Sequence, residues 1–141
     1  MRKEWLGFAM ELLSLPTAPL HEGAVAGWLR EFAAERQMKV LSDRYGNLTI
    51  RYRHGGVSRG RRLVIAAHMD HPGFAAVKMT GRTRMVAHWI GGVPPDLFPG
   101  AKVRFFDEGR WVRGEVVSAT RKRVMGEPRT VHLKIDKPVA A

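Results

Sequence analysis

The run of five apolar residues at 63–67, LVIAA, is the feature that most constrains how this chain can fold. A strand buried on both faces of an α/β sheet has such a continuous apolar sequence, whereas a half-exposed strand alternates. We therefore predict a buried strand at 63–67, in a sheet that is covered by helices. Two polar residues, His68 and Asp70, follow at its carboxyl end.

His68 and Asp70 are the candidate site. Two residues apart on a strand, their side chains would point to the same face. A neutral imidazole is a good ligand for zinc or cobalt, and a carboxylate can hold its other ring nitrogen. His71 would face the opposite way. A His-x-Asp triplet is common, however, so taken alone it leaves a surface role open.

The rest of the first half predicts two helices and two short strands. Apolar residues recur at helical spacing from Trp5 to Leu13, until Pro16 ends the pattern, and again from Val25 to Ala33. Residues 39–42 are short and extended, 43–47 have turn chemistry, and apolar and polar residues alternate over 48–52.

The pattern of apolar residues changes after Gly73. Short apolar stretches alternate with Gly-, Pro- or Asp-containing turns, which is typical of a small barrel or sandwich. The predicted strands are 74–79, 85–90, 102–106, 111–118 and 131–135. We place a domain boundary at 72–74, with one domain at 1–73 and a second, β-rich one at 74–141.

The net charge and the absence of cysteine bear on which partners and metal ligands the chain can have. The formal charge is +11, of which residues 1–72 carry +4 (11 Lys/Arg, 7 Asp/Glu) and residues 73–141 carry +7 (13 Lys/Arg, 6 Asp/Glu). Basic charge suits nucleic acid, but no recognised binding motif accompanies it, so nucleic acid is the less favoured partner. With no cysteines, any metal must be held by His, Asp or Glu. No signal peptide or membrane-spanning stretch is evident, and we expect a soluble, cytoplasmic protein.

Several segments, in order, resemble the glutamyl-aminopeptidase and endoglucanase-like family of co-catalytic metallopeptidases. Residues 12–19, LLSLPTAP, look like the family's opening helix and turn, and 43–48, DRYGNL, resemble its Asp-x-x-Gly-Asn-Leu turn and strand. Residues 67–74, AHMDHPGF, resemble its Ala-His-Met-Asp-Glu-Ile-Gly-Phe segment, with His71 and Pro72 in place of Glu and Ile. Three later segments follow the pattern of the family's inserted β domain: 90–92 (IGG), 99–103 (PGAKV) and 114–117 (GEVV).

The resemblance implies an incomplete αβα peptidase domain followed by a small β-barrel-like inserted domain. His68 aligns with a metal-ligating histidine, and Asp70 with the carboxylate that orients it and supports catalysis. In this family two divalent ions, here expected to be zinc or cobalt, activate a water that attacks peptides beside their free N-terminus. The remaining ligands and the glutamate base lie further along the family's sequences. We therefore expect the 141 residues to be a fragment that is inactive alone, binds no metal tightly and self-associates.

Two alternatives remain. One is a basic nucleic-acid-binding module, with Trp89 and Trp111 as stacking platforms. Its basic side chains would be Arg82, Arg84, Lys102, Arg104, Arg110, Arg113, Arg121, Lys122 and Arg123. The other is a non-catalytic relative that acts in assembly. The acidic residues of the second half are expected at the solvated surface: Asp96, Asp107, Glu108, Glu115, Glu127 and Asp136.

Overall fold

The computed structural model describes residues 3–53, 55, 63–120 and 129–140. These residues fall into two units, one within 1–17 and 21–69 and the other within 18–20 and 70–141. The assignment of 1–73 to a catalytic domain and 74–141 to an inserted domain stays a prediction.

The first unit begins with two helices, α1 (Lys3–Ser14) and α2 (Gly23–Glu35), as predicted. Aromatic rings join them: Phe8 of α1 lies edge-on to Phe32 of α2, with centroids 5.4 Å apart. The Arg36 guanidinium caps this cluster, 3.7 Å from the centroid of the Phe32 ring. The helices therefore contact each other through half-buried aromatic rings, while Val25, Ala26 and Ala33 of α2 are the buried residues.

A hairpin follows, formed by β1 (Lys39–Ser42) and β2 (Leu48–Arg51). The Asp43 carboxylate closes its turn, because it accepts hydrogen bonds from the backbone N–H groups of Tyr45 and Asn47, at 2.8 and 3.0 Å. The Asn47 side chain donates a third, at 2.7 Å. Gly46, at φ 87°, supplies the left-handed backbone that the turn requires. The predicted turn and alternating strand are confirmed.

The prediction of a buried strand at 63–67 is wrong. Within the described chain these residues form neither helix nor strand, and Leu63, Val64 and Ile65 are 82–86% exposed. A strand buried on both faces needs hydrogen-bonded neighbours on each side and helices above and below. No strand that the structure describes pairs with this run, so the αβα architecture is not formed by these residues.

The second unit is a curled, half-barrel antiparallel sheet of five strands in the order β3-β4-β7-β6-β5. The predicted strands are confirmed, each slightly longer than its apolar stretch. Their bounds are β3 Gly73–Gly81, β4 Arg84–Ile90, β5 Lys102–Asp107, β6 Arg110–Ala119 and β7 Arg129–Ile135. A short 3₁₀ helix, Pro95–Leu97, lies between β4 and β5.

The core of the sheet lies on its inner face. Met85, Val116 and Leu133 come from three neighbouring strands and are at most 2% exposed. Trp89 packs beside them against Phe98, with ring centroids 4.8 Å apart. Alternation along each strand sends the intervening side chains to the opposite, outer face.

Candidate metal centre

His68 and Asp70 lie in an irregular segment, residues 63–72, rather than at the end of a strand. His68 is exposed and belongs to the first unit, whereas Asp70 is half-buried and belongs to the second. The strand geometry that would have placed both side chains on one face is therefore not present. Their assignment as metal ligand and orienting carboxylate stays a prediction.

One hydrogen bond fixes the backbone beside His68. The Thr17 hydroxyl, in the turn after α1, donates to the Met69 carbonyl oxygen at 3.3 Å. Both residues belong to the first unit, 52 positions apart in sequence. Sequence reasoning marked residues 12–19 as a family segment but gave Thr17 no role. Thr17 is the polar residue in the otherwise apolar segment 15–19, LPTAP, and this could have indicated that its hydroxyl forms a hydrogen bond.

On the other side of Asp70, a close backbone approach holds Pro72. Gly91, at φ 154°, lies so near that a Cβ added to it would be 2.6 Å from the Pro72 Cβ. The same Cβ would be 2.9 Å from the Trp89 ring. The Trp89 indole N–H donates to the Gly91 carbonyl oxygen at 3.0 Å. The segment after Asp70 is thus packed against the aromatic core of the second unit.

Among the residues that the structure describes, the acidic side chains of the second unit form no second metal site. The expectation that Asp107 is solvated is wrong, since its side chain is 8% exposed. It accepts a hydrogen bond from the Ala140 backbone N–H at 3.1 Å and lies 3.6 Å from the Arg110 guanidinium. Glu115 pairs with Lys102, which holds the pKa of the Glu115 carboxyl below its usual value. Glu127 lies outside the described residues.

The donor set shows how far the described residues fit a two-metal centre. A co-catalytic pair needs several carboxylates and imidazoles around both ions. Across 3–53, 55, 63–120 and 129–140, no group of three or more His, Asp or Glu side chains could hold a metal ion. The described residues therefore do not fit a complete two-metal centre.

The described residues thus form a mixed α/β protein in which a His-Met-Asp segment precedes a curled antiparallel sheet. The chain belongs to the M42 glutamyl aminopeptidase family, whose profile matches residues 46–137, well over half of the sequence. The family consists of metal-dependent peptidases. A comparison with curated proteins found no match.

The match begins at Gly46 in the hairpin turn and covers the His68–Asp70 segment and the whole five-stranded sheet. It confirms the resemblance drawn from the sequence motifs. None of the helices that the structure describes is long and apolar enough to cross a membrane.

Proposed function

We propose that this chain contributes one part of the active site of a metal-dependent aminopeptidase. His68 is the metal ligand, and Asp70 is the carboxylate that orients it. The family match over residues 46–137, which includes both residues, is the observation that carries the proposal. The substrates are peptides with a free N-terminus.

The chain's own residues hold this segment rather than complete the site. The Thr17 hydroxyl grips the Met69 carbonyl on one side of Asp70, and the Gly91 backbone packs against Pro72 on the other. The metals, when bound, supply activation of a water for attack on the peptide carbonyl. Because no described group of three donors exists, the other ligands and the base come from polypeptide outside the described residues. We therefore propose that the 141 residues alone do not hydrolyse peptides.

Self-association is part of the proposal. On α1, Trp5, Leu6, Met10 and Leu13 are 50–68% exposed, and Leu63, Val64 and Ile65 are still more exposed. Exposed apolar residues in such clusters mark interaction surfaces, because their burial removes apolar area from water. We infer a cytoplasmic homo-oligomer with zinc or cobalt as its metal.

A peptidase assay tests the proposal. The 141-residue chain is incubated with zinc or cobalt and a peptide that has a free N-terminus, and release of the first residue is followed by mass spectrometry. We expect no release above that of the metal alone. Release that disappears in His68→Ala but persists in His21→Ala, a matched exposed histidine, would contradict the proposal that the other ligands lie outside the described residues.

A companion measurement addresses the assembly. Light scattering after size-exclusion chromatography should give a mass above that of the 15.9 kDa monomer. The double variant Leu63→Ser, Ile65→Ser should shift the mass toward the monomer, whereas Leu97→Ser, an exposed leucine in the second unit, should leave it unchanged. A monomeric parent chain would rule out self-association.

A further inference from the structure

The outer face of the five-stranded sheet is strongly basic. On β4, β5, β6 and β7 it carries residues that alternate with the core positions, and on β3 it carries Lys78, which is opposite Val86 of β4. Six cations and one carboxylate lie on it, a formal charge of +5. We call this the basic face, and its charged members are Lys78, Arg84, Lys102, Arg104, Arg113, Lys134 and Glu115.

The register lines up four of these charges across four strands. Lys102 of β5 is opposite Glu115 of β6, which is opposite Lys134 of β7, and Lys134 is in turn opposite Arg84 of β4. Neighbouring strands lie about 4.8 Å apart. Glu115 forms an ion pair with Lys102 and also interacts electrostatically with Lys134, and the row ends with the two adjacent cations Lys134 and Arg84.

Two positions along β5, the next pair on the same face places two arginines directly opposite each other, Arg104 on β5 and Arg113 on β6. Like charges in this position destabilise a sheet. In the part of the chain that the structure describes, neither guanidinium forms a salt bridge. An anion bound between them would relieve the repulsion.

Aromatic side chains continue the same face. Phe106 is opposite Trp111, and their rings meet edge to face with centroids 5.2 Å apart. The Arg104 guanidinium lies 4.0 Å from the centroid of the Trp111 ring. Phe106 and Trp111 are 48% and 38% exposed, whereas Trp89 is buried in the core. Of the two tryptophans considered as stacking platforms, only Trp111 is therefore on the surface.

A cavity of about 550 Å³ adjoins the basic row. Arg84, His132 and Lys134 line it, together with the hydroxyl-bearing residues Thr80 and Thr83. Cationic and hydroxyl donors around one recess are suited to a phosphate group.

We propose that the basic face binds single-stranded nucleic acid. The rows of Lys and Arg bind the phosphates, and the Trp111–Arg104 stack accepts a base. Acidic polypeptide would use the charges but not the exposed aromatic pair, so the combination favours nucleic acid. Neither His68 nor Asp70 belongs to the basic face, so the proposal stands or falls separately from the peptidase assignment.

Fluorescence anisotropy with a labelled single-stranded 12-mer RNA, measured over a salt series, tests the proposal. Binding should weaken linearly with salt on a log–log plot, with a slope of about −0.7 per phosphate contact. The double variant Arg104→Ala, Arg113→Ala should make that slope shallower by about 1.4, which corresponds to two contacts. The matched double variant Arg51→Ala, Arg53→Ala, which removes two exposed arginines from the first unit, should bind like the parent chain.

Trp111→Ala should weaken binding by about fivefold or more at every salt concentration, because loss of stacking does not change the slope. Trp111→Phe should recover part of the affinity, and circular dichroism should show each variant folded. The absence of binding at low salt, equal loss in the Arg51→Ala, Arg53→Ala control, or an unchanged affinity in Trp111→Ala would overturn the proposal. So would competition by polyglutamate or heparin as effective as that by unlabelled RNA, since this would mean binding of any polyanion.

Discussion

Gly91→Ala should destabilise the second unit, because the structure leaves no room for a methyl group at this position. The new Cβ would lie 2.6 Å from the Pro72 Cβ and 2.9 Å from the Trp89 Cζ2, both closer than carbon atoms approach. The backbone conformation, φ 154°, is also one that residues with a side chain rarely adopt.

The magnitude follows from these two costs. Backbone strain at such a position costs about 1–3 kcal/mol, and forcing an extra carbon into a packed region costs about 1–3 kcal/mol. We expect a loss of about 2–4 kcal/mol, since part of the clash is relieved by a shift of Pro72. Against the total stability of a small domain, about 5–15 kcal/mol, this is a large fraction.

Urea unfolding followed by tryptophan fluorescence measures the effect, because Trp89 contacts the substituted position. Gly92→Ala is the matched control: its added Cβ would meet nothing within 4 Å, and the change should cost less than about 1 kcal/mol. If the two variants lose equal stability, or if Gly91→Ala unfolds like the parent chain, the close approach described for Pro72 is incorrect.

Three further predictions concern single hydrogen-bonding groups. Asp107→Ala should cost about 1–3 kcal/mol in urea unfolding, since it leaves a backbone N–H without its acceptor, while Glu108→Ala, at an exposed turn, should have little effect. Thr17→Val should accelerate amide hydrogen exchange around Met69, whereas Thr17→Ser should preserve the parent rates; equal acceleration in both would exclude the hydroxyl as the cause. Asn47→Ala should raise the pKa of Asp43 in an NMR titration, because the Asn47 side chain is the main cause that lowers it. Because folding lowers the pKa of Asp43, its hydrogen bonds stabilise the folded protein above the pKa of the unfolded state, and this stabilisation is lost as the pH falls through the folded-state pKa. An unchanged Asp43 pKa in Asn47→Ala would exclude the Asn47 side chain as the cause.

Local patterns predicted the local elements well. The helical stripes gave both helices, and the turn residues around Gly46 gave the hairpin, because these structures depend on neighbouring residues in sequence. The short apolar stretches after Gly73 gave all five strands of the sheet. Their hydrogen-bonded order, with β7 between β4 and β6, could not be read from the pattern, since it depends on contacts distant in sequence.

The candidate site was less predictable, because its expected geometry depended on the run at 63–67 forming a strand. An apolar run becomes a buried strand only when partner strands are available, and the described residues supply none. The burial of Asp107 could not be predicted from neighbouring residues either, because it depends on the backbone N–H of Ala140, which is 33 positions away in sequence. The family motifs single out His68 and Asp70, and both lie within the residues that the family profile matches, but their roles stay a prediction.

A cobalt titration followed by NMR of the six histidine imidazoles most directly tests whether His68 is a metal ligand. The imidazole signal of His68 should broaden at the lowest metal concentration, and Asp70→Asn should weaken that binding about 10–100-fold. His21→Ala should leave the response of His68 unchanged. Broadening that begins at other histidines, or that is the same in Asp70→Asn, would contradict the assignment of His68 and Asp70 to the metal centre.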